Sequence, residues 1–258
     1  MRTYVVTGAA SGMGKATTEL LRERGEHVIG ADLHDADITC DLTTDEGRER
    51  LVSETARLSG GTIDGVIAVA GLITPTPATV GVTYFGMIAT LEGLRPLLAG
   101  SDAPRAVGVS SQGSLLPPDE LLVALQLAGD EAGALARAAE LAKSPEQGSL
   151  IYRSTKVAFA RWIRRNAPNQ AWAGANIPLN AVAPGLTLTP MIAPYIASAE
   201  GRAAAERNTP MPLNGPAEPI VIARLLAWLA GPENSHLCGQ VVFADGGSDV
   251  VLRGDSTW

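Results

Sequence analysis

Short, continuously apolar runs alternate with helix-length segments along this chain. The runs are uninterrupted rather than alternating apolar with polar, which is typical of strands buried on both faces of a parallel sheet. Seven of them are predicted to be strands: TYVVTG, HVIGAD, ADITCDL, IDGVIAVAG, RAVGVSS, IPLNAVAPG and GQVVFADGG. This alternation predicts an α/β fold, a doubly wound parallel sheet of about seven strands with helices on both faces.

Five segments between these runs are predicted to be helices. Gly25 closes the first, and Thr44 or Asp45 is the N-cap of the second. The segments are KATTELLRERG, TDEGRERLVSETARL, GVTYFGMIATLEGLRPLL, IYRSTKVAFARWIRRNA and EPIVIARLLAWLAG. Because no internal repeat or linker divides the chain, residues 1–258 are predicted to form a single domain.

Two stretches depart from this alternation. Residues 113–148 are rich in Ala, Leu and Glu and contain the start signal PPDE, which predicts a helical insert of two short helices. Residues 186–219 are rich in Pro and small residues and predict a long, partly helical excursion. Excursions of that length in a compact domain usually serve function.

Composition excludes several classes of protein. The 258 residues are 46% hydrophobic and carry a net charge of −7, without a basic patch, so nucleic-acid binding is not expected. We expect neither a signal peptide, because MRTYVVTG lacks the apolar stretch of one, nor a membrane-spanning helix, because no apolar run is long enough. Cys40 and Cys238 fit reduced thiols, and His27, His34 and His236 are scattered. We expect a cytoplasmic protein without a metal site.

A glycine-rich turn follows the first predicted strand, in TGAASGMGKATTELL. Glycine lets the backbone approach a pyrophosphate closely, and the next helix points its free N–H groups and positive dipole end at that phosphate. The alternative is a tight strand-to-helix turn without a ligand. The candidate cofactor-binding residues of this turn are Gly8, Ser11, Gly12, Met13 and Gly14.

Asp32 ends the second predicted strand, 18 residues after Gly14. An acid at about this spacing accepts hydrogen bonds from the ribose hydroxyls of a dinucleotide in a Rossmann-type fold. Its charge repels the 2′-phosphate of NADP, and Leu33 and His34, not an arginine, follow it. The spacing therefore favours NAD as the cofactor; the alternative is a solvated acid at a strand end.

Tyr152 and Lys156 are one helical turn apart in SLIYRSTKVAFARW, so their side chains share one face of the predicted helix. Such a pair by itself is most often incidental. In an alcohol-oxidising enzyme it has a purpose, because a nearby cation lowers the pKa of a phenol and lets it act as a base.

In order and spacing, these motifs resemble those of the short-chain dehydrogenase/reductase family over nearly the whole chain. The similarity includes the Gly-x-x-x-Gly-x-Gly spacing, Asp41-Leu42, AVAG at residues 68–71, and Ser110-Ser111. YRSTK, AVAPGLTLTP at residues 181–190, and GQVVFADGG complete it. The insert before Tyr152 resembles that of the bacterial 3α-hydroxysteroid dehydrogenase/carbonyl reductase branch.

The resemblance implies an NAD-dependent oxidoreductase acting on a secondary alcohol or its ketone. Tyr152 is the implied acid/base, and Lys156 also binds the nicotinamide ribose. Ser111, rather than Ser110, is expected to bind the substrate oxygen; the alternative is a strand-end hydroxyl satisfied by backbone. The other implied cofactor contacts are Asp41, Leu42, Ala70, Gly71, the backbone of Leu186 and the hydroxyl of Thr189, which is otherwise an N-cap before Pro190.

The chain departs from the family pattern at two positions. Thr83 stands where the family has an asparagine that holds a proton-relay water, so the relay is in doubt. Ala68 replaces the first asparagine of a strand end, so a stabilising side-chain contact is expected to be missing. A catalytically silent NAD-binding regulator remains an alternative, as does an epimerase or lyase with tightly bound NAD.

The excursion is expected to provide an apolar substrate lining, and no lysine or arginine is obviously placed there; Arg202 and Arg207 are expected to be solvated. A hydrophobic ketone or secondary alcohol, for example an alicyclic or steroidal one, is therefore the expected partner. Members of the resembled family commonly form tetramers through the long helix and the Tyr152–Lys156 helix, and a helical insert beside the latter could block that face. A homodimer is therefore expected, with a homotetramer as the alternative. The expected lining residues are Met191, Ile192, Tyr195, Ile196 and Met211; plain lid packing is the alternative for Tyr195 and the Met residues.

Overall fold

The computed structural model describes residues 1–256 and contains a seven-stranded sheet in which neighbouring strands run parallel. The strands are β1 (Thr3–Thr7), β2 (His27–Asp32), β3 (Ile38–Thr39), β4 (Gly65–Ala68), β5 (Arg105–Val109), β6 (Leu179–Pro184) and β7 (Val241–Ala244). Their order in the sheet is β3-β2-β1-β4-β5-β6-β7. This order, with β1 beside β4, confirms the predicted Rossmann-type doubly wound sheet.

Helices cover both faces of the sheet and bury one apolar core on each face. The helices are α1 (Gly12–Glu23), α2 (Asp45–Ser59), α3 (Pro77–Val80), α4 (Met87–Leu98), α5 (Glu120–Ala128), α6 (Glu131–Leu141), α7 (Pro145–Asn166), α8 (Ala199–Asn208), α9 (Pro219–Leu229) and α10 (Ser248–Arg253). Leu21 of α1 packs with Leu226 of α9 on one face, and Leu51 of α2, Leu94 of α4 and Phe159 of α7 fill the other. None of the helices within residues 1–256 is both long and apolar enough to cross a membrane.

Three helix starts differ from or refine the sequence-based expectation. Thr44 is the N-cap of α2, because its hydroxyl accepts a hydrogen bond from the Gly47 N–H at 3.0 Å. The helix predicted from residue 81 begins earlier, at Pro77, and passes through a π-helical turn, Gly81–Gly86, before α4. The short α10 near the carboxyl end has no counterpart among the predicted elements.

The insert after β5 contains two helices, as predicted, but α7 starts at Pro145 and takes over the end of residues 113–148. Ser144 caps α7 by accepting from the Gln147 N–H at 3.2 Å. Arg137 binds Asp119 at 2.7 Å and joins the two insert helices, and Glu131 ties the insert to the body by binding Arg48 of α2 at 2.6 Å. Because α5 packs along α7, it covers part of that helix.

The excursion from 186 to 219 is closed at its base by backbone hydrogen bonds. The Leu188 N–H donates to the Ala217 carbonyl, and the Ala217 N–H donates to the Leu186 carbonyl, each at 2.9 Å. Between these ends lie a 3-10 turn, Ala193–Ile196, and α8. The excursion therefore forms a partly helical flap with its two ends joined, held beside the carboxyl end of β6.

Candidate active site

Three hollows meet at the carboxyl edge of the sheet, where doubly wound folds bind ligands. The Asp32 cleft, about 610 Å³, lies between the glycine turn and the ends of β2 and β4. The Arg153 cleft, about 430 Å³, lies between α7, the turn after β5 and the flap. A central cavity of about 80 Å³ joins them and is lined by Ser111, Tyr152 and Lys156.

The glycine turn leads from β1 into α1 with free donors at the helix start. Ser11 is the N-cap, without a side-chain hydrogen bond, and the Lys15 N–H is the first to bond back, to the Ser11 carbonyl at 3.0 Å. Gly14 has to be glycine, because a Cβ there would lie 2.0 Å from the Gly8 carbonyl oxygen. The turn thus presents unpartnered N–H groups to the cleft beside it, as an anion site requires.

The Asp32 carboxylate lines the Asp32 cleft and also holds the glycine turn by hydrogen bonding. One carboxylate oxygen accepts from the Ala10 N–H at 2.9 Å, and the other accepts from the Leu33 N–H at 2.7 Å. A carboxylate has about four acceptor positions, so capacity for a ligand hydroxyl remains. Within residues 1–256 no lysine or arginine lines this cleft. Other predicted cofactor contacts that line it are Gly8, Ser11, Asp41, Leu42, Ala70 and Gly71.

Tyr152 and Lys156 project from α7 into the central cavity, as the helical spacing predicts. The Lys156 Nζ lies 5.7 Å from the centre of the Tyr152 ring and donates a hydrogen bond to the Val109 carbonyl at 2.7 Å. Lys156 is only 4% exposed. Its amine is therefore held by the end of β5, with two N–H donors left for a ligand.

The expected lowering of the Tyr152 pKa by Lys156 is not found in the protein without cofactor. Burial raises the pKa of the Tyr152 phenol, and a hydrogen bond with Ser111 opposes that rise only in part. Burial also lowers the pKa of Lys156 to about 7. The Lys156 amine is directed to the Val109 carbonyl, and burial is the main cause that sets the direction of the Tyr152 pKa.

Two adjacent serines end β5 and line the central cavity. The Ser111 hydroxyl accepts from the Gly113 N–H at 3.0 Å and lines the cavity together with Tyr152, so the backbone bonds it without turning it away from the cavity. The Ser110 hydroxyl, in a residue only 1% exposed, has no hydrogen-bond partner within the described chain. Since buried hydroxyls are nearly always paired, Ser110 offers an open position for a ligand.

Thr83 occupies the π-helical turn, fully buried, and its hydroxyl is already engaged. It accepts from the Leu72 N–H at 2.8 Å and lies 3.2 Å from the Leu72 carbonyl. The missing contact expected at Ala68 is replaced by Thr7, whose hydroxyl accepts from the N–H groups of Val69 and Ala70 at 3.1 and 3.2 Å. Both departures from the family pattern thus keep the end of β4 in place.

The residues predicted in the flap divide between the hollows. Thr189 lines the central cavity beside Gly12 and makes no side-chain cap, and the neighbouring Thr187, which sequence reasoning missed, lines it too. Leu186 lines the Arg153 cleft instead of the cofactor side, and its N–H points at the Met211 sulfur, 3.2 Å away.

The predicted substrate lining is partly right. Met191, Ile192 and Tyr195 line the clefts. Ile196 lines none of the three hollows, and neither does Met211, whose thioether packs on Gly185. The expectation is therefore wrong for Ile196, whereas Met211 follows the alternative of plain packing.

One cation that sequence reasoning did not consider, Arg153 of α7, lies outside the excursion and lines the Arg153 cleft. The only sequence signal was its position next to Tyr152. Arg202 and Arg207 are exposed, as expected.

The Asp32 cleft and the central cavity fit a nicotinamide dinucleotide. Unpartnered N–H groups at the start of α1 suit its pyrophosphate, and Asp32 suits a ribose diol. No group of three or more potential metal ligands occurs among residues 1–256.

Comparison with known proteins agrees with this geometry. A family profile described as enoyl-(acyl carrier protein) reductase matches residues 123–249. The 3-alpha-hydroxysteroid dehydrogenase/carbonyl reductase of Comamonas testosteroni is 33% identical, covering 98% of each chain. The cis-4-hydroxycyclohexanecarboxylate dehydrogenase of Sinomonas cyclohexanicum is 30% identical, covering 97% of each.

Among solved structures, the 3-alpha-hydroxysteroid dehydrogenase of Pseudomonas sp. B-0831, complexed with NADH, superposes with a TM-score of 0.88. It is 39% identical and covers 98% of this chain and 99% of its own. Similarity at this level over the whole length, together with the glycine turn, Asp32 and the Tyr152–Lys156 pair, leads to one conclusion: the chain belongs to the short-chain dehydrogenase/reductase family.

Proposed function

We propose that this protein is an NAD-dependent oxidoreductase that interconverts a hydrophobic secondary alcohol and its ketone. The observation that carries the proposal is the central cavity, in which Ser111, Tyr152 and Lys156 meet between the two clefts. A dinucleotide in the Asp32 cleft would bring its reactive end to this cavity, and a substrate in the Arg153 cleft would reach it from the other side.

The chain's own residues supply binding and proton transfer, and a bound nicotinamide supplies or accepts the hydride. The Ser111 hydroxyl holds the substrate oxygen and thereby orients the reacting carbon. Tyr152 gives a proton to that oxygen during carbonyl reduction and takes it back during alcohol oxidation. Since burial raises the pKa of Tyr152, the protonated phenol suits reduction at neutral pH and a higher pH favours oxidation.

Asp32 supports NAD over NADP. Its carboxylate lines the cleft with Asp41, and neither lysine nor arginine lines the same walls within residues 1–256. A 2′-phosphate would meet negative charge without a counterion, whereas ribose hydroxyls would find acceptors. The relative solved with NADH binds the same class of dinucleotide.

The walls of the substrate side support an apolar ring as the body of the substrate. Ile73, Pro75, Leu116 and Ile192 line the Arg153 cleft, and relatives named for steroid and cyclohexane alcohols share the fold. A cyclic secondary alcohol is therefore the substrate class we propose. The cavity volume of about 430 Å³ falls in the range of small-molecule sites.

We also propose a cytoplasmic homodimer. Cys40 and Cys238 are free thiols, which fits a reducing compartment. The insert helix α5 covers part of α7 and reduces the surface through which a second pair of subunits could join. Sedimentation of the purified protein tests this assembly; a tetramer would contradict it.

The function is tested by measuring oxidation of a panel of cyclic secondary alcohols with NAD⁺ and NADP⁺, and reduction of the matching ketones. Turnover that is faster with NAD⁺ is expected. No turnover on any member, with cofactor still bound, would favour a silent regulator instead. Cofactor that survives dialysis, seen in an absorbance scan, would favour an epimerase or lyase.

A further inference from the structure

Arg153 differs from the other arginines of the described chain in its surroundings. It is half-buried in the wall of the Arg153 cleft, and within residues 1–256 its guanidinium makes no hydrogen bond or ion pair. Every other arginine without a partner is exposed to solvent. These are Arg24, Arg50, Arg164, Arg165, Arg207 and Arg224. Among the arginines of residues 1–256, only Arg153 is therefore both half-buried and without an ion-pair or hydrogen-bond partner.

No acidic side chain among the described residues that line this cleft pairs with the Arg153 guanidinium. The described residues that line the cleft include no aspartate or glutamate. The Gln112 side chain is engaged on both sides, since its amide N donates to the Asn208 carbonyl at 3.3 Å and its carbonyl accepts from the Thr209 hydroxyl at 3.1 Å. The remaining walls are largely apolar, and an unpaired cation beside apolar surface is costly.

We propose that Arg153 binds a carboxylate on the substrate, so that the physiological substrate is a hydroxy or oxo acid with an apolar ring between its two ends. This deepens the proposed function and rests on it. Tyr152 and Arg153 line the same cleft, so one ligand can place its carbinol at Tyr152 and its anion at Arg153. The planar guanidinium matches a carboxylate through two parallel hydrogen bonds, which favours a carboxylate over other anions.

The test compares two substrates that differ only in charge, 4-hydroxycyclohexanecarboxylate and 4-hydroxycyclohexanecarboxamide, with NAD⁺. Wild type is expected to have the lower KM for the acid. Arg153→Gln is expected to raise the KM of the acid on the order of ten- to hundredfold, with kcat and the KM of the amide close to wild type. Arg153→Lys keeps the charge without the planar guanidinium, and its KM for the acid is expected to lie between those of wild type and Arg153→Gln.

Arg164→Gln is the matched control, because it removes an exposed and unpaired arginine from the same helix, outside the cleft. It is expected to behave as wild type on both substrates. Equal KM values for acid and amide in wild type would overturn the proposal. So would an Arg153→Gln variant that changes both KM values alike while its circular dichroism and melting temperature match wild type.

Calorimetric titration of the enzyme–NADH complex with cyclohexanecarboxylate and cyclohexanecarboxamide separates this inference from the proposed function. Neither ligand carries a hydroxyl that can react, so the measurement does not depend on turnover. Tighter binding of the acid, lost in Arg153→Gln, supports the carboxylate site even if no alcohol is oxidised. Equal binding of acid and amide would reject the site even if alcohol oxidation is found.

Discussion

The two clefts that meet at Tyr152 are built in different ways. The Asp32 cleft is walled by the ends of β2 and β4, the glycine turn and part of the flap, and its charged groups are acidic. The Arg153 cleft is walled by α7, the turn after β5 and another part of the flap, and its charged group is basic. The difference teaches that the charged groups of the cofactor side follow strand ends that the local sequence marks, whereas the charged group of the substrate side reaches its cleft only through long-range packing.

The strongest test of this comparison is Tyr152→Phe, at the junction of both clefts. We expect kcat to fall by about a hundred- to ten-thousandfold, because the proton donor is lost. NADH affinity, measured by fluorescence titration, should stay close to that of wild type. Tyr4→Phe is the control, because it removes the hydroxyl of a buried tyrosine in β1 that lines none of the three hollows, and it should keep full activity. Substantial activity in Tyr152→Phe would refute its acid/base role.

Asp32→Asn tests the acidic side alone. Removing the charge is expected to weaken NAD⁺ binding by about tenfold or more, since hydrogen bonds to charged groups are the stronger ones. NADP⁺ binding should change less, so the ratio of the two dissociation constants shifts. Asp35→Asn, the same change at an exposed turn residue outside this cleft, serves as the control. An unchanged ratio would count against the ribose contact.

Lys156→Met tests the cost of burying an amine between the clefts. The pKa of Lys156 is about 7 in the folded protein against 10.5 ordinarily, so from pH 7 to 10.5 the unfolded chain binds more protons. The free energy of unfolding of wild type therefore rises as the pH increases through that window, and below pH 7 the full cost of burying the charged amine applies. We expect the cofactor-free variant to melt higher than wild type at pH 6.5, with the gap shrinking by pH 10.

Lys143→Met provides the control for this measurement, because Lys143 is exposed. Its melting temperature should differ from wild type by the same amount at both pH values. A gap for Lys156→Met that does not change with pH would mean that the amine is not desolvated as the structure indicates.

Thr83→Val is expected to give the smallest effect. Loss of the hydrogen bonds to Leu72 should cost about 1 kcal/mol of stability, measured by urea unfolding. Since the hydroxyl is already engaged, kcat should change little. Thr90→Val, which removes a hydroxyl bonded to the Gly86 carbonyl in the same helical stretch, is the control. A loss of kcat as large as that of Tyr152→Phe would place Thr83 in the proton path.

The strands and the glycine turn could be predicted because their signals are local. Continuous apolar runs mark buried parallel strands, and Gly14 is dictated by its distance from the Gly8 carbonyl. Even the overlooked start of α7 has a local signal, Ser144 followed by Pro145, which was assigned to the insert instead.

The remaining features depend on partners far along the chain. Whether Arg153 faces a cleft or solvent is decided by the flap, which is more than 30 residues away in sequence. The packing of the Met211 thioether on Gly185 is likewise a contact between residues far apart in the sequence, which no local pattern indicates. The π-helical turn around Thr83 carries no pattern that distinguishes it from an α-helix, so its geometry could be found only in the structure.

The closed base of the flap has a consequence for how this enzyme class diversifies. Because Leu186 and Leu188 are already bonded to Ala217, the separation of the ends does not depend on what lies between them. Loop-closure entropy grows only slowly with length, so longer or shorter segments can be exchanged at this junction at small cost to the sheet. Residues 189–216 therefore form a natural unit for exchange between relatives, and because Thr189, Met191 and Tyr195 line the central cavity or the Asp32 cleft, such an exchange would change the contacts of cofactor and substrate together.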